Sequence, residues 1–374
     1  MANDQPLTPL PLPPPGLGRV SALVALCRCL SAALRDEPPP VPADWAAVAA
    51  TAENYRLTPA LWEAVRGVGG LEEDVAERLR TEYAANVVAT SRASTQLREC
   101  IGAFNRLGIE PVVIKGAVGL LEGRTPAPAR VMADLDLLVR NGEIDRACVA
   151  LRQLGYSVQP SPGVAAMFTC AATRPGLAAP VDLHRALGVG ASARALPVSV
   201  ILRRTSGRQV DGLAYRVMEA ADQLAHAVVH SEFNDKAHRT GSIALRQLHN
   251  FAVLYQQIGH SDAWPTAVSR LDCREMRKLV MGHAALERYL FGLALPVPEP
   301  TLAARAHLAR CLATYAVPHL SDIETNLVLA FEPEALAQRY PGSSVRSARV
   351  RHVVELLRGG TKSVRQAALQ PRNQ

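Results

Sequence analysis

RVMADLDLLVR, residues 130–140, is the stretch on which the reading of this chain turns. The LDLLV around Asp134 and Asp136 is short and apolar, and this pattern predicts a strand over residues 131–139. Residues i and i+2 of a strand face the same side, with Cα atoms about 7 Å apart at a rise of about 3.3 Å per residue. Asp134 and Asp136 then repel each other across a short gap, and a cation relieves that repulsion. PVVIKG (residues 111–116) precedes the stretch and PVDLHRAL (residues 180–187) follows it. The later run is a second strand candidate and carries a third carboxylate, Asp182. Three hard oxygen ligands suit Mg2+ or Mn2+. Paired metals bridged by such acids transfer phosphoryl or nucleotidyl groups.

Around this centre a small mixed sheet with helices is expected over residues 109–215. Strand candidates lie at 111–114, 156–159, 164–172 and 181–187, with short helices at 116–121 and 143–154. Residues 17–108 read as a helical region. Asp44 can cap a helix carrying Trp45, Thr58-Pro59 can open the next, and 71–107 forms one long helix or two in line, closed by Gly108. Residues 216–358 read as helical again, at 220–232, 241–258, 263–271, 274–291, 301–314 and 347–357. A proline-rich tail (1–16) and a basic polar tail (359–374) complete the chain. The fold class is α+β: a mixed-sheet core flanked by N- and C-terminal helical regions.

Composition agrees with this division. The chain has 374 residues, room for two or three domains. Hydrophobic residues make up 48% but aromatics only 5%, so the core must be built of Ala, Leu and Val, which favours helices. Trp45, Trp62, Trp264, Tyr289 and Phe291 are expected to fill helical core or groove. The net charge of +7 suits polyanionic substrates such as nucleoside triphosphates, and equally serves solubility. Nucleic acid is unsupported as a partner, because no dense basic stripe is interleaved with aromatics. The seven cysteines are scattered without zinc spacing, and no secretory leader is evident, so a cytoplasmic setting is expected. No apolar run reaches the roughly 18 residues that a membrane span needs.

VVIKGAVGLL, RVMADLDLLV and VDLHRAL, taken in that order, resemble the uncharacterised nucleotidyltransferase family of the polymerase-beta-type nucleotidyltransferase superfamily. DWAAVAATAENYRLTPALWEAV is similar to the family's N-terminal helices, and HAVVHSEF and LRQLHNFAVL to its C-terminal part. The resemblance spans about residues 44–255. It implies transfer of a nucleoside monophosphate from an NTP, with Mg2+ or Mn2+, to a small-molecule, peptide or protein acceptor, releasing pyrophosphate. It makes Asp134 and Asp136 ligands of both metals. It gives Asp182 the catalytic metal and the acceptor proton. The superfamily's Gly-Ser turn is replaced by Lys115-Gly116-Ala117, which forfeits a hydroxyl contact to phosphate. In exchange, Gly116 permits close backbone approach and Lys115 adds charge. Arg130 could neutralise phosphate, or pair structurally with Glu122 or Asp134. His184 shares a strand face with Asp182 and could orient it or meet the substrate. His226 and His230, four apart on a helix, read as core residues, and Asp222 as a partner of His226. The alternative function is a non-catalytic nucleotide-binding or regulatory protein on the same fold. A glycosyltransferase using D-x-D ranks last, for want of a nucleotide-binding βαβ series.

Overall fold

The computed structural model describes residues 18–123, 129–160, 168–177, 179–188, 190–259, 262–297, 301–317, 331, 336 and 339–359. The proline-rich start, the basic tail beyond residue 359 and the first part of the 164–172 strand candidate lie outside them. The chain opens with helices α1 (Gly18–Leu34), α2 (Trp45–Asn54), α3 (Thr58–Val65) and α4 (Glu73–Arg106). The central part alternates: β1 (Val112–Val113), α5 (Ala117–Glu122), β2 (Leu135–Leu138), α6 (Ile144–Gln153), β3 (Ser157–Pro160), β4 (Phe168–Thr173), β5 (Val181–His184), α7 (Ala191–Ala195), α8 (Val198–Arg204), β6 (Ser206–Val210) and β7 (Leu213–Val217). Helices follow: α9 (Ala220–Val228), a π-helical turn (Val229–Asn234), α10 (Ala237–Thr240), α11 (Leu245–Ile258), α12 (Ala263–Arg270), α13 (Arg274–Phe291), α14 (Leu302–Ala316) and α15 (Val345–Gly359).

Local chemistry explains several of these boundaries. The Asp44 carboxylate accepts from the Ala47 N–H at 2.8 Å and starts α2. Pro59 sits in the first turn of α3, where its missing N–H costs nothing. The Leu71–Leu107 pattern resolves as one helix of 34 residues, ended by Gly108 at φ +70°.

The strands form one mixed sheet of order β3-β4-β5-β2-β1-β7-β6. β2 and β5 run parallel, placing Asp136 beside Asp182 and Leu138 beside His184. Residues 131–134 were expected in the strand and are not part of it. β5 begins at Val181, opposite Leu135, so nothing pairs with the preceding residues, and the Leu135 N–H is the first to bond, to the Pro180 carbonyl at 2.9 Å. The β6–β7 hairpin was not anticipated. Its turn is Asp211 (φ 49°) and Gly212 (φ 77°), both left-handed as a type I′ turn requires. The expected core edge at residue 215 falls inside β7.

Each face of the sheet meets different helices. Leu135, Leu137, Val181 and Leu183 pack against α4, α5 and α6. Leu138 joins residues of α7 to α9 and α11 to α13 on the opposite face, which is therefore also the face of Asp136, Asp182 and His184 by strand alternation. A third cluster unites α1 to α3 with α11, α13 and α14, so the two helical regions share one core. Trp45, Trp264 and Phe291 are buried in these clusters, and Trp62 and Tyr289 pack against them. All seven cysteines are free thiols, although the Cys148 and Cys170 sulfurs approach to 3.3 Å.

Candidate active site

The three aspartates come together despite the shortened strand. One oxygen from each of Asp134, Asp136 and Asp182 lies within 4.8 Å of the others. Asp136 is the most constrained of them. It is 2% exposed, and its Oδ1 accepts from Lys115 Nζ at 2.9 Å and bonds His184 Nε2 at 2.7 Å. Burial penalises its charge. The His184 hydrogen bond and the Lys115 charge outweigh that penalty and hold the carboxyl well below its ordinary range. At Asp134 and Asp182 the Lys115 charge offsets only part of the burial and acid–acid repulsion. Burial and the Asp136 charge raise Asp134. Burial, then Asp136 and Asp134, push Asp182 up to about 6. Two of three acids are thus short of positive charge.

Lys115 reaches Asp136 because it takes a left-handed φ of 54° between β1 and α5, a conformation that costs a non-glycine residue of order 1 kcal/mol. Gly116 next to it is needed for room rather than for torsion. A Cβ there would stand 2.6 Å from the Arg130 Cζ and 2.7 Å from Nη2. The backbone approach available at Gly116 is thus taken by the Arg130 guanidinium. The Arg130 carbonyl is held by Asn86 Nδ2 from α4 at 3.1 Å. Desolvation, then the nearby Arg246 charge, pulls Arg130 down to about 10 against the pull of Asp136 and Asp134. Glu122, one of the two structural partners considered for Arg130, is engaged by Arg208 at 3.7 Å and by the Tyr215 hydroxyl at 3.4 Å.

A cavity of about 570 Å³ opens in front of this cluster, in the size range of small-ligand sites. Lys115, Gly116, Arg130, Asp134 and Asp136 line it, along with residues of α1, α3, α9 and α11. Asp182 and His184 are not among its lining residues. His184 is buried behind Asp136 and bonds that residue rather than Asp182, because the parallel register sets it two pairs beyond Asp136 on the neighbouring strand, on the same face.

Several lining residues were not assigned to a site from the sequence, and His226 and His230 were read as core. His226 is buried yet lines the cavity. Desolvation and the charges of His230 and Lys115 hold it well below the ordinary imidazole value, so it is neutral. His230 also lines the cavity and stands 3.3 Å from Asp235. Arg246, His249 and Asn250 come from one face of α11. The spacing 226/230 and 246/249/250 was a legible signal of shared helix faces, but not of what those faces meet. Asp222 does not serve His226 as expected. It is fully buried and clasped by Arg204 (2.9 and 2.8 Å) and Arg270 (2.8 Å), tying α8, α9 and α12 together.

A mixed sheet carrying three convergent carboxylates beside a cation-lined cavity has the arrangement of a phosphoryl-transfer enzyme. The chain belongs to a family described as uncharacterised nucleotidyltransferase, whose model matches residues 41–292. No curated protein matches it. The antibiotic-resistance factor ANT(2'')-Ia, solved in solution, is similar to it at 11% identity, over 47% of this chain and 89% of that one, with a TM-score of 0.35. Among the described residues no helix is long and apolar enough to cross a membrane.

Proposed function

We propose that this nucleotidyltransferase moves an NMP group from an NTP to a small-molecule, peptide or protein acceptor and releases pyrophosphate. The observation that carries this reading is the convergence of Asp134, Asp136 and Asp182 within 4.8 Å at the edge of a cavity lined by Lys115, Arg130 and Arg246. The all-oxygen donor set fits Mg2+ or Mn2+, and the upward shifts of Asp134 and Asp182, from burial and acid–acid repulsion, support a cation there. When bound there, such an ion supplies charge neutralisation on the phosphoryl oxygens and activation of the attacking oxygen. Lys115 and His184 both bond Oδ1 of Asp136, which fixes the carboxylate and leaves Oδ2 as its presenting atom. Arg130 and Arg246 offer the cations for a triphosphate. The acceptor oxygen attacks the α-phosphorus as the bond to the β-phosphate's bridging oxygen breaks. Its proton passes to Asp182, the third carboxylate of the cluster.

The Lys115–Asp136 ion pair gives a second reading some ground, since it engages one oxygen of the acidic site: nucleotide binding without turnover. One experiment separates the two. The protein is incubated with Mg2+ or Mn2+, each labelled NTP and cell extract as acceptor pool, beside Asp134→Ala/Asp136→Ala. Metal-dependent label transfer and pyrophosphate release, both absent in the double variant, support the transferase. NTP binding with no release of pyrophosphate supports the binder, and no NTP binding at all removes both.

A further inference from the structure

A second cluster of metal-type ligands lies away from the aspartates, among α10, α13, α14 and the π-helical turn. Ligand atoms of Glu232, His238 and His307 lie within 4.8 Å of one another. Glu232 is 1% exposed and His307 7% exposed. The Glu232 carboxylate is held by one oxygen: Oε1 accepts from the Ser231 hydroxyl at 3.2 Å and bonds His283 Nδ1 at 3.0 Å. Its Oε2 is buried with no hydrogen-bond partner among the described residues, and so is His238 Nδ1. Unsatisfied buried polar atoms of this kind cost about 1–3 kcal/mol each, and two of them on residues whose ligand atoms converge within 4.8 Å point to a missing partner. The helix behind them makes room for the ligands. A Cβ on Gly282 would stand 2.8 Å from the His307 ring and 3.0 Å from the His238 ring.

We propose that Glu232, His238 and His307 bind a structural transition-metal ion, Zn2+ by the chemistry of the set. Two imidazoles and one carboxylate are borderline ligands of the type that Zn2+ takes in tetrahedral sites. His283 orients the carboxylate from behind through its 3.0 Å bond to Oε1; such an outer partner fixes a metal ligand's geometry. The Cys311 sulfur stands 3.4 Å from His307 Nε2. The ion fastens the π-helical turn and the four-residue α10 to α14. Because that turn also carries His230 of the cavity, the site braces one wall of the active site without touching substrate.

The test uses the full chain, stripped with chelator and titrated with Zn2+ in the wild type and in Asp134→Ala/Asp136→Ala. Retention of about one Zn2+ per chain through gel filtration in both, with a rise in Tm on re-addition, is expected of an ion that is part of the fold. Glu232→Gln and His238→Gln should each weaken Zn2+ by about 10-fold or more. Co2+ in place of Zn2+ should give a visible tetrahedral spectrum that His238→Gln alters and the aspartate variant does not. Two results overturn the site: stripped wild type that neither retains Zn2+ nor gains Tm, or uptake lost in the aspartate variant and kept in Glu232→Gln. The wild-type titration decides even where a ligand variant fails to fold.

Discussion

At Asp136 two donors meet on one oxygen, and their roles separate by charge. His184 is an orienting partner. Its replacement in His184→Phe should weaken Mn2+ binding by about 10-fold, measured by the electron-spin signal of free Mn2+. Lys115 brings a full positive charge beside the acids and so competes with a bound cation. Lys115→Met should therefore bind Mn2+ at least as tightly as the wild type while its rate of pyrophosphate release falls about 100-fold. Equal loss of affinity in both variants would sink this division of labour. The acids also set a pH window. Asp182 rises to about 6 because burial and its acidic neighbours disfavour its charge. In the proposed site its carboxylate is the metal-binding form, so Mn2+ affinity should drop about 10-fold between pH 7 and pH 5. For folding the sign is the reverse. A raised carboxyl contributes stability in full below its unfolded pKa and loses it as pH climbs through about 6. Asp136, held low, loses its contribution only in strong acid and is constant over this window. Added Mn2+ should accordingly raise Tm more at pH 7 than at pH 5; an equal rise would contradict the assignment to Asp182.

At the scale of elements, the fold rests on polar side chains placed where a pattern of hydrophobicity gives no warning. Asn86 and Gln96 lie on the buried side of α4, where Asn86 donates to the Arg130 carbonyl and Gln96 to the Ala179 carbonyl at 2.6 Å. These bonds position the chain entering β2 and β5. The acidic strands, α5 and the boundaries of α13 were legible in the sequence because short apolar runs and a 3.6-residue period speak for themselves. The β6–β7 hairpin also has a signal in the sequence, the Asp211-Gly212 pair at its turn. What single residues could not disclose was register: that His184 would meet Asp136 and not Asp182 depends on how two distant strands align. Asp222 illustrates the same limit. It looks like a helix-surface acid, yet it is the buried knot of three helices. Asp222→Ala leaves Arg204 and Arg270 without their shared anion and should cost about 3 kcal/mol in urea denaturation. A change under 1 kcal/mol, on the order of an exposed pair, would mean the knot is not stabilising.

At the scale of the molecule, α4 belongs to two cores at once. Its first turns place Val75 and Leu79 in the cluster of the helical regions. Its last turns place Leu97, Ile101 and Phe104 beneath the sheet. At 1.5 Å per residue its 34 residues reach about 50 Å. The sequence marks a seam near residue 108, where helices give way to strands, but no mechanical seam follows it. A polypeptide beginning at Ile109 would expose the sheet face that α4 covers and should aggregate, whereas the same piece mixed with residues 1–108 should regain solubility, read by light scattering. Soluble, folded material from the shorter piece alone would show the seam to be real. A foreign module spliced in at that joint, in place of either the helical prelude or the acidic core, would have to rebuild both hydrophobic cores at once.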